Sequence, residues 1–172
     1  TTLSGLERIW IATILAETAA RTGAIREAEE SFAEAFKVGI KDQYLLGAYA
    51  DFLLDHRRYQ DVMSLLRSET RADGLLLRLA LAEQTLKLPT FQNHTDELAA
   101  RFAASRDRGT TVHVREEARF ILTLQHDAHR ALPLAQANWN IQREPADARI
   151  LLESALAAKN PPAAQPVLDW MK

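Results

Sequence analysis

Apolar residues recur at every third or fourth position along most of the chain, and strict alternation of apolar and polar residues is hard to find. This spacing is typical of amphipathic α-helices, whose apolar side chains fall on one face. Glycine, proline and polar clusters interrupt the pattern at short intervals, so we predict about ten helices joined by short breaks. The predicted helices cover residues 6–22, 24–38, 43–55, 59–68, 75–88, 112–125, 127–142 and 145–158, with a sixth capped by Asn93 or Thr95 and a short tenth leading to Trp170.

Glycines and prolines mark several predicted helix ends and one internal conflict. Gly23 and Gly39 follow the first two helices, where glycine is favoured because it adopts the left-handed conformation without strain. Pro145 suits the first turn of the ninth helix. Pro133 falls inside the eighth, where proline has no amide donor to contribute. That helix therefore either begins later, near Ala131, or is kinked.

The predicted helices come in pairs, and the pair recurs along the chain. The small residue Ala16 and the large Phe32 recur 34 residues later as Ala50 and Leu66, and Phe102 follows Leu66 by 36. A period of 34 built from two helices predicts a solenoid of helical hairpins, because one pair cannot bury its apolar face alone and stacks on its neighbours. The predicted repeats form one array over residues 1–172, with approximate boundaries 9–42, 43–74, 75–110, 111–144 and 145–172.

These repeats resemble the tetratricopeptide repeat (TPR) family. That family favours a small residue in the first helix of each repeat and Ala, a large apolar residue and Ala in the second, as at Ala16, Ala28, Phe32 and Ala35. The first repeat departs from the family at Ala19, where an aromatic residue or Leu is favoured. The end of the chain is also similar to stretches of bacterial TPR proteins. The resemblance implies an all-α, right-handed superhelical solenoid of antiparallel helix pairs, whose concave groove or loops hold a protein partner.

The family register also implies which side chains line the groove. It gives an acidic stripe that ends in a basic fourth repeat and lies beside two aromatic residues. The groove residues in this register are Trp10, Thr13, Glu17, Tyr44, Asp51, Asp55, Glu83, Arg115 and Arg119. The Lys, Asn and Arg set of TPR carboxylate clamps is missing, so we expect a peptide with basic and apolar side chains. The alternative is that these charges only solvate the inner helices.

The composition narrows the class of protein without identifying a partner. With 47% apolar residues and a net charge of −2, the chain of 172 residues is not disordered. Lys and Arg (21) nearly balance Asp and Glu (23), which gives no support for nucleic-acid binding, and no apolar run is as long as a membrane span. The absence of cysteine excludes a disulfide scaffold and fits either cytoplasm or periplasm. Because the chain begins with Thr1 rather than Met, we expect a fragment of a longer protein.

The sequence shows no catalytic motif. His126 and His129 lie on one side of a helix turn, and Asp127 with Glu116 or Glu117 would complete a metal site. Exposed polar residues at a helix start are the simpler interpretation. No glycine-rich phosphate loop or nucleophile elbow is present. We therefore predict no enzymatic activity, cofactor or metal.

Three roles remain to be compared. The leading prediction is a non-catalytic scaffold that binds a protein or peptide in the groove. The first alternative is self-association, and the second is an α-helical enzyme subunit. Trp10, Trp139 and Trp170 are either binding anchors or core residues; core packing is favoured for all except Trp10. The candidate dimer contact is the apolar face of the last helix, with Val167, Leu168, Trp170 and Met171.

Overall fold

A computed structural model of the chain describes residues 3–109 and 113–172. The described residues form ten α-helices and one short 3₁₀ turn and contain no β-strand, so the predicted all-α fold is confirmed. The α-helices are α1 (Gly5–Arg21), α2 (Ile25–Lys37), α3 (Gln43–Asp55), α4 (Tyr59–Leu66), α5 (Asp73–Leu86), α6 (Phe91–Asp107), α7 (Val114–Thr123), α8 (Ala128–Ile141), α9 (Pro145–Ala157) and α10 (Gln165–Trp170), with the 3₁₀ turn at Pro161–Ala164.

Two predicted helix starts need correction. Helix α6 begins at Phe91, ahead of the Asn93 expected as its earliest cap, because the chain turns immediately after Pro89 and the Phe91 amide already donates to the carbonyl of Leu88 at 3.2 Å. Helix α8 begins at Ala128, so the expectation of a later start is wrong and Pro133 lies inside the helix. The side chain of Pro133 is exposed, so water can reach the carbonyl that loses its amide donor. The predicted start of the seventh helix, residue 112, lies outside the described residues.

A left-handed residue follows each odd-numbered helix. These residues have φ angles between 53° and 79° and are Gly23, Arg57, Lys87, His126 and Lys159. After α1, α3, α5 and α9, the next amide donates to a carbonyl five residues earlier, at 2.8–3.0 Å. That bond is characteristic of a Schellman turn, which closes a helix and reverses the chain. The 34-residue offset that relates Ala16 to Ala50 also relates Gly23 to Arg57, so the predicted period relates structurally equivalent turns.

The first compact unit contains α1 to α5 and ends at Phe91. Helix α1 contacts α3, and α3 contacts α5, while α2 packs against α1 and α3, and α4 against α3 and α5. Ala16 and Ala50 are fully buried, which allows neighbouring helices to approach closely. Phe32 fills the space between α2 and α3, with its ring centroid 4.9 Å from that of Tyr49. Within this unit the helices stack in the manner of a helical repeat.

The second compact unit covers Gln92–Lys172, and the division falls at the start of α6, within the third predicted repeat. Helices α7, α8 and α9 contact one another, and α10 packs on α9. Trp139 is buried in their core, as predicted, and its ring lies 5.5 Å from that of Trp170. Val167 is fully buried in the same core, because α10 turns it toward α9. Val167 is therefore not available for the predicted dimer contact of the last helix. The other three predicted contact residues, Leu168, Trp170 and Met171, are exposed.

Candidate functional site

Helix α1 carries much of the exposed apolar surface of the first unit, and its start is capped. The Ser4 amide donates to Glu7 Oε2 at 2.7 Å, and the Glu7 amide donates to Ser4 Oγ at 3.3 Å, a reciprocal capping box. The hydrogen bond from the Ser4 amide to the Glu7 carboxylate, and after it the Ser4 side chain, lower the pKa of Glu7. The side chains of Ile9 and Ala16 point into the unit. The other sides of α1 carry exposed apolar side chains, among them Trp10 and Leu15.

Three of the predicted groove residues form an exposed surface on α1 and α3. Trp10 and Glu17 are seven residues apart on the same side of α1, and the hydroxyl of Tyr44 in α3 donates to the Glu17 carboxylate. The exposed fractions of Trp10 and Tyr44 are 59% and 40%. We call this surface of Trp10, Glu17 and Tyr44 the α1–α3 face. It combines two exposed aromatic rings with a carboxylate.

A second acid of the predicted stripe connects α3 to α5. Asp51 Oδ2 lies 2.5 Å from Nη2 of Arg78, which also donates through Nη1 to the carbonyl of Gly74 at 2.7 Å. The guanidinium lies over Gly47, where an added Cβ would be 3.7 Å from its central carbon. The two charged side chains are only 29% and 14% exposed. Arg78 therefore compensates the negative charge of Asp51.

Sequence reasoning missed Arg78, although the sequence contains a signal for it. Tyr44 and Arg78 are 34 residues apart, as are Glu17 and Asp51. Each acid thus bonds to the equivalent residue of the next odd-numbered helix, 27 positions later. With the third repeat predicted to start at residue 75, Leu76 takes the position equivalent to Tyr44 in place of Arg78, and Leu76 is fully buried. Strict use of the 34-residue period would have identified the pair.

Two predicted groove residues are buried rather than exposed. The Thr13 hydroxyl donates to the carbonyl of Ile9 at 2.7 Å, and its side chain is closed off by the unit. Glu83 is 1% exposed and accepts from the Thr90 hydroxyl at 2.6 Å. Helix α5 is buried on much of its surface because both α3 and α4 pack on it. The expectation that Glu83 is exposed in the groove is therefore wrong. Asp55, in contrast, is the exposed last residue of α3.

Arg115 lies in an internal network of the second unit. Its Nη1 is 3.1 Å from Glu144 and 3.2 Å from Asp147, and its Nε is 3.4 Å from Glu116. Asp147 is fully buried and also accepts from Asn138 Nδ2 at 2.7 Å. Burial by itself would lower the pKa of Arg115, but the carboxylates of Glu116, Asp147 and Glu144 outweigh it and raise the pKa. Arg115 thus joins α7 to α9, instead of presenting its full charge to a partner.

The second unit contains one further predicted groove residue and two residues of the Arg115 network that were not predicted. Arg119 is half-buried in α7, and its carbonyl accepts from the Thr123 hydroxyl at 2.6 Å. Asn138 and Asp147, which complete the Arg115 network, were not predicted. They lie on different helices, and no spacing rule in the sequence connects an amide in α8 with a carboxylate in α9.

The sequence-based metal hypothesis gains no support from the positions of its acids. Asp127 accepts from the Arg130 amide at 3.0 Å as the cap of α8, and Glu117 pairs with Arg106. Among residues 3–109 and 113–172, no group of three or more His, Cys, Asp or Glu side chains is arranged to hold a metal ion. A depression of about 180 Å³ at the start of α4 and another of about 80 Å³ between α6 and α7 are smaller than typical ligand sites.

Comparisons with models of known protein families, with curated proteins and with solved structures found no match. The TPR family assignment therefore stays a prediction, as do the single array and its right-handed superhelix. No helix in the described part of the chain is long and apolar enough to cross a membrane.

Proposed function

We propose that the protein is a non-catalytic interaction module, a TPR-like scaffold that binds a protein or peptide through the α1–α3 face. The observation that carries the proposal is the exposure of Tyr44 beside the Glu17 carboxylate, with Trp10 exposed two turns earlier on the same side of α1. Trp and Tyr side chains bury large apolar areas on binding and are enriched among the residues that dominate interface energies. The repeated turn after each odd-numbered helix supports the repeat architecture of the scaffold.

The charges on this face favour a partner with a basic side chain. Glu17 carries its negative charge next to the ring of Tyr44, and a cation is attracted both to a carboxylate and to an aromatic face. Asp51 contributes less than the sequence indicated, because Arg78 already compensates it. The expected ligand is therefore a segment with one apolar anchor and a Lys or Arg near it.

Affinity capture with quantitative mass spectrometry tests the proposal. The folded chain would be used as bait in three forms: wild type, Trp10→Ala, and Trp170→Ala as a matched control from the second unit, where Trp170 is 47% exposed. Binding partners of the α1–α3 face should be lost by Trp10→Ala and kept by Trp170→Ala. Circular dichroism melting curves would show that both variants fold.

A captured partner then allows a sharper measurement by titration calorimetry. Trp10→Ala should weaken binding by at least about 30-fold, as expected for a residue worth at least about 2 kcal/mol at an interface. Glu17→Gln keeps a hydrogen-bonding group toward Tyr44 but removes the charge, and should weaken binding by about tenfold. Partners that bind all variants equally well would refute the proposal.

A further inference from the structure

The side of α1 that faces away from the unit carries a second group of apolar residues. Ile11 and Ile14 are each 37% exposed and Leu15 is 57% exposed, whereas Ile9 and Ala16 on the opposite side are buried. Helix α1 is thus apolar on most of its circumference, which is typical of a helix buried between other elements. Contiguous exposed apolar residues of this kind mark contact surfaces. We call Ile11, Ile14 and Leu15 the outer face of α1.

We infer that the outer face of α1 packs antiparallel against the same face of a second copy of the chain. The apolar residues of this face lie around the middle of Gly5–Arg21, while Glu7 lies in the first turn and Arg21 in the last. An antiparallel copy places the apolar middle against itself, with Ile11 opposite Leu15 of the second copy. It also brings Glu7 close to Arg21 of the second copy at both ends.

This self-complementarity favours a second copy over an unrelated helix. A two-fold interface uses one surface twice, so each residue must suit the residue that faces it. On α1 the apolar residues Ile11 and Leu15 lie two residues to either side of the helix centre, and the acid and base occupy opposite ends. A parallel copy would instead place Glu7 beside Glu7 and Arg21 beside Arg21, which is unfavourable.

The size of the interface predicts a weak dimer. Helix α1 has 17 residues and is therefore about 25 Å long. A contact limited to one pair of such helices lies at or below the lower end of specific interfaces, about 1,200 Å². We expect reversible association with a dissociation constant in the micromolar range, about 1–100 µM.

Analytical ultracentrifugation tests the association with a matched pair of variants. Leu15→Glu places a charge in the outer face, and Leu156→Glu does the same at an 81% exposed position of α9. Wild type should shift from the 19.3 kDa monomer to twice that mass as its concentration rises. Leu15→Glu should raise the dissociation constant at least about tenfold, whereas Leu156→Glu should leave it unchanged. A monomeric wild type at millimolar concentration, or equal behaviour of the two variants, would overturn the inference.

Cysteine cross-linking tests the antiparallel orientation. The chain contains no cysteine, so Leu3→Cys and Thr22→Cys each introduce a single thiol, one at either end of α1. In an oxidised mixture of the two variants, antiparallel pairing should give mainly mixed disulfides. Disulfides formed only between identical variants would refute it. Leu15 and Glu17 are two residues apart and so point to nearly opposite sides of α1, and partner binding measured on the Leu15→Glu variant tests the proposed function separately.

Discussion

Replacement of Asp147 by alanine tests how strongly one buried carboxylate holds the second unit together. Asp147 lies in the first turn of α9 and is fully buried. Its oxygens accept from Asn138 Nδ2 at 2.7 Å, from the Glu144 amide at 2.8 Å and from Arg115 at 3.2 Å. In Asp147→Ala all three donors lose this acceptor, because the alanine side chain cannot accept a hydrogen bond.

The cost follows from these three contacts. Loss of the hydrogen bond at the helix start costs about 1 kcal/mol, and a buried amide left without a partner costs about 1–3 kcal/mol. The ion pair with Arg115 adds about 1 kcal/mol or less, because the Arg115 side chain is 28% exposed and keeps other carboxylate partners. The total is about 2–5 kcal/mol, which overlaps the range of about 3–5 kcal/mol known for removal of one partner of a buried ion pair. For a chain of this size the melting temperature should fall by about 4–20 °C.

Urea unfolding and thermal melting followed by circular dichroism measure this loss. Glu153→Gln is the matched control, because Glu153 is an exposed residue of the same helix and pairs with Arg149 in the preceding turn. The control should change the free energy of unfolding by less than about 0.5 kcal/mol. Hydrogen exchange should show loss of protection in α7, α8 and α9. A loss below about 1 kcal/mol in Asp147→Ala would refute the account of this network.

Other variants test the caps, turns and packing. Ser4→Ala should lower the free energy of unfolding by about 1 kcal/mol and fray the first turn of α1, seen by hydrogen exchange. The Ser4 amide, and after it the Ser4 side chain, lower the pKa of Glu7 below its unfolded value, so this stabilisation is present near neutral pH and is lost as the pH falls through the folded pKa. Ser4→Ala removes only the side-chain part, so the Ser4→Ala difference should shrink slightly in acid. Lys87→Gly should raise the free energy of unfolding by up to about 1 kcal/mol, because glycine adopts the left-handed conformation of this residue without strain. The urea midpoint should rise accordingly, and an unchanged midpoint would contradict this. Ala50→Leu should lower stability in the same assay by about 1–3 kcal/mol, since Ala50 is fully buried between helices, and a neutral effect would mean that the space is not closely packed.

Helix content and the hairpin turns were accessible from the sequence because they depend on local preferences. The spacing of apolar residues predicted α3 at residues 43–55, as the structure has it. Gly23 marked the end of α1 because a left-handed residue was needed there. Arg57, Lys87 and Lys159 occupy equivalent turns without being glycine, so composition alone would have overlooked them.

The candidate site was only partly predictable. The family register placed Glu17 and Tyr44 in the same predicted groove, and the structure joins them by a hydrogen bond. The burial of Glu83 was not predictable from the period, because it depends on how many helices pack around α5. Arg115 illustrates the same limit, since its charge is used inside the second unit by acids that lie 29 and 32 residues away.

The sequence by itself determined the helices, their pairing into hairpins and the small residues between them, because each depends on a repeated local pattern. Only the tertiary structure decided which charges are exposed. Asp51 looks like an exposed acid in the sequence, but its charge is compensated by Arg78. The energy of a charged side chain depends on its distance from neighbours brought close by folding, and a linear pattern does not contain that distance. Burial also depends on folding, because core packing was favoured for both Trp139 and Trp170, but Trp170 is 47% exposed.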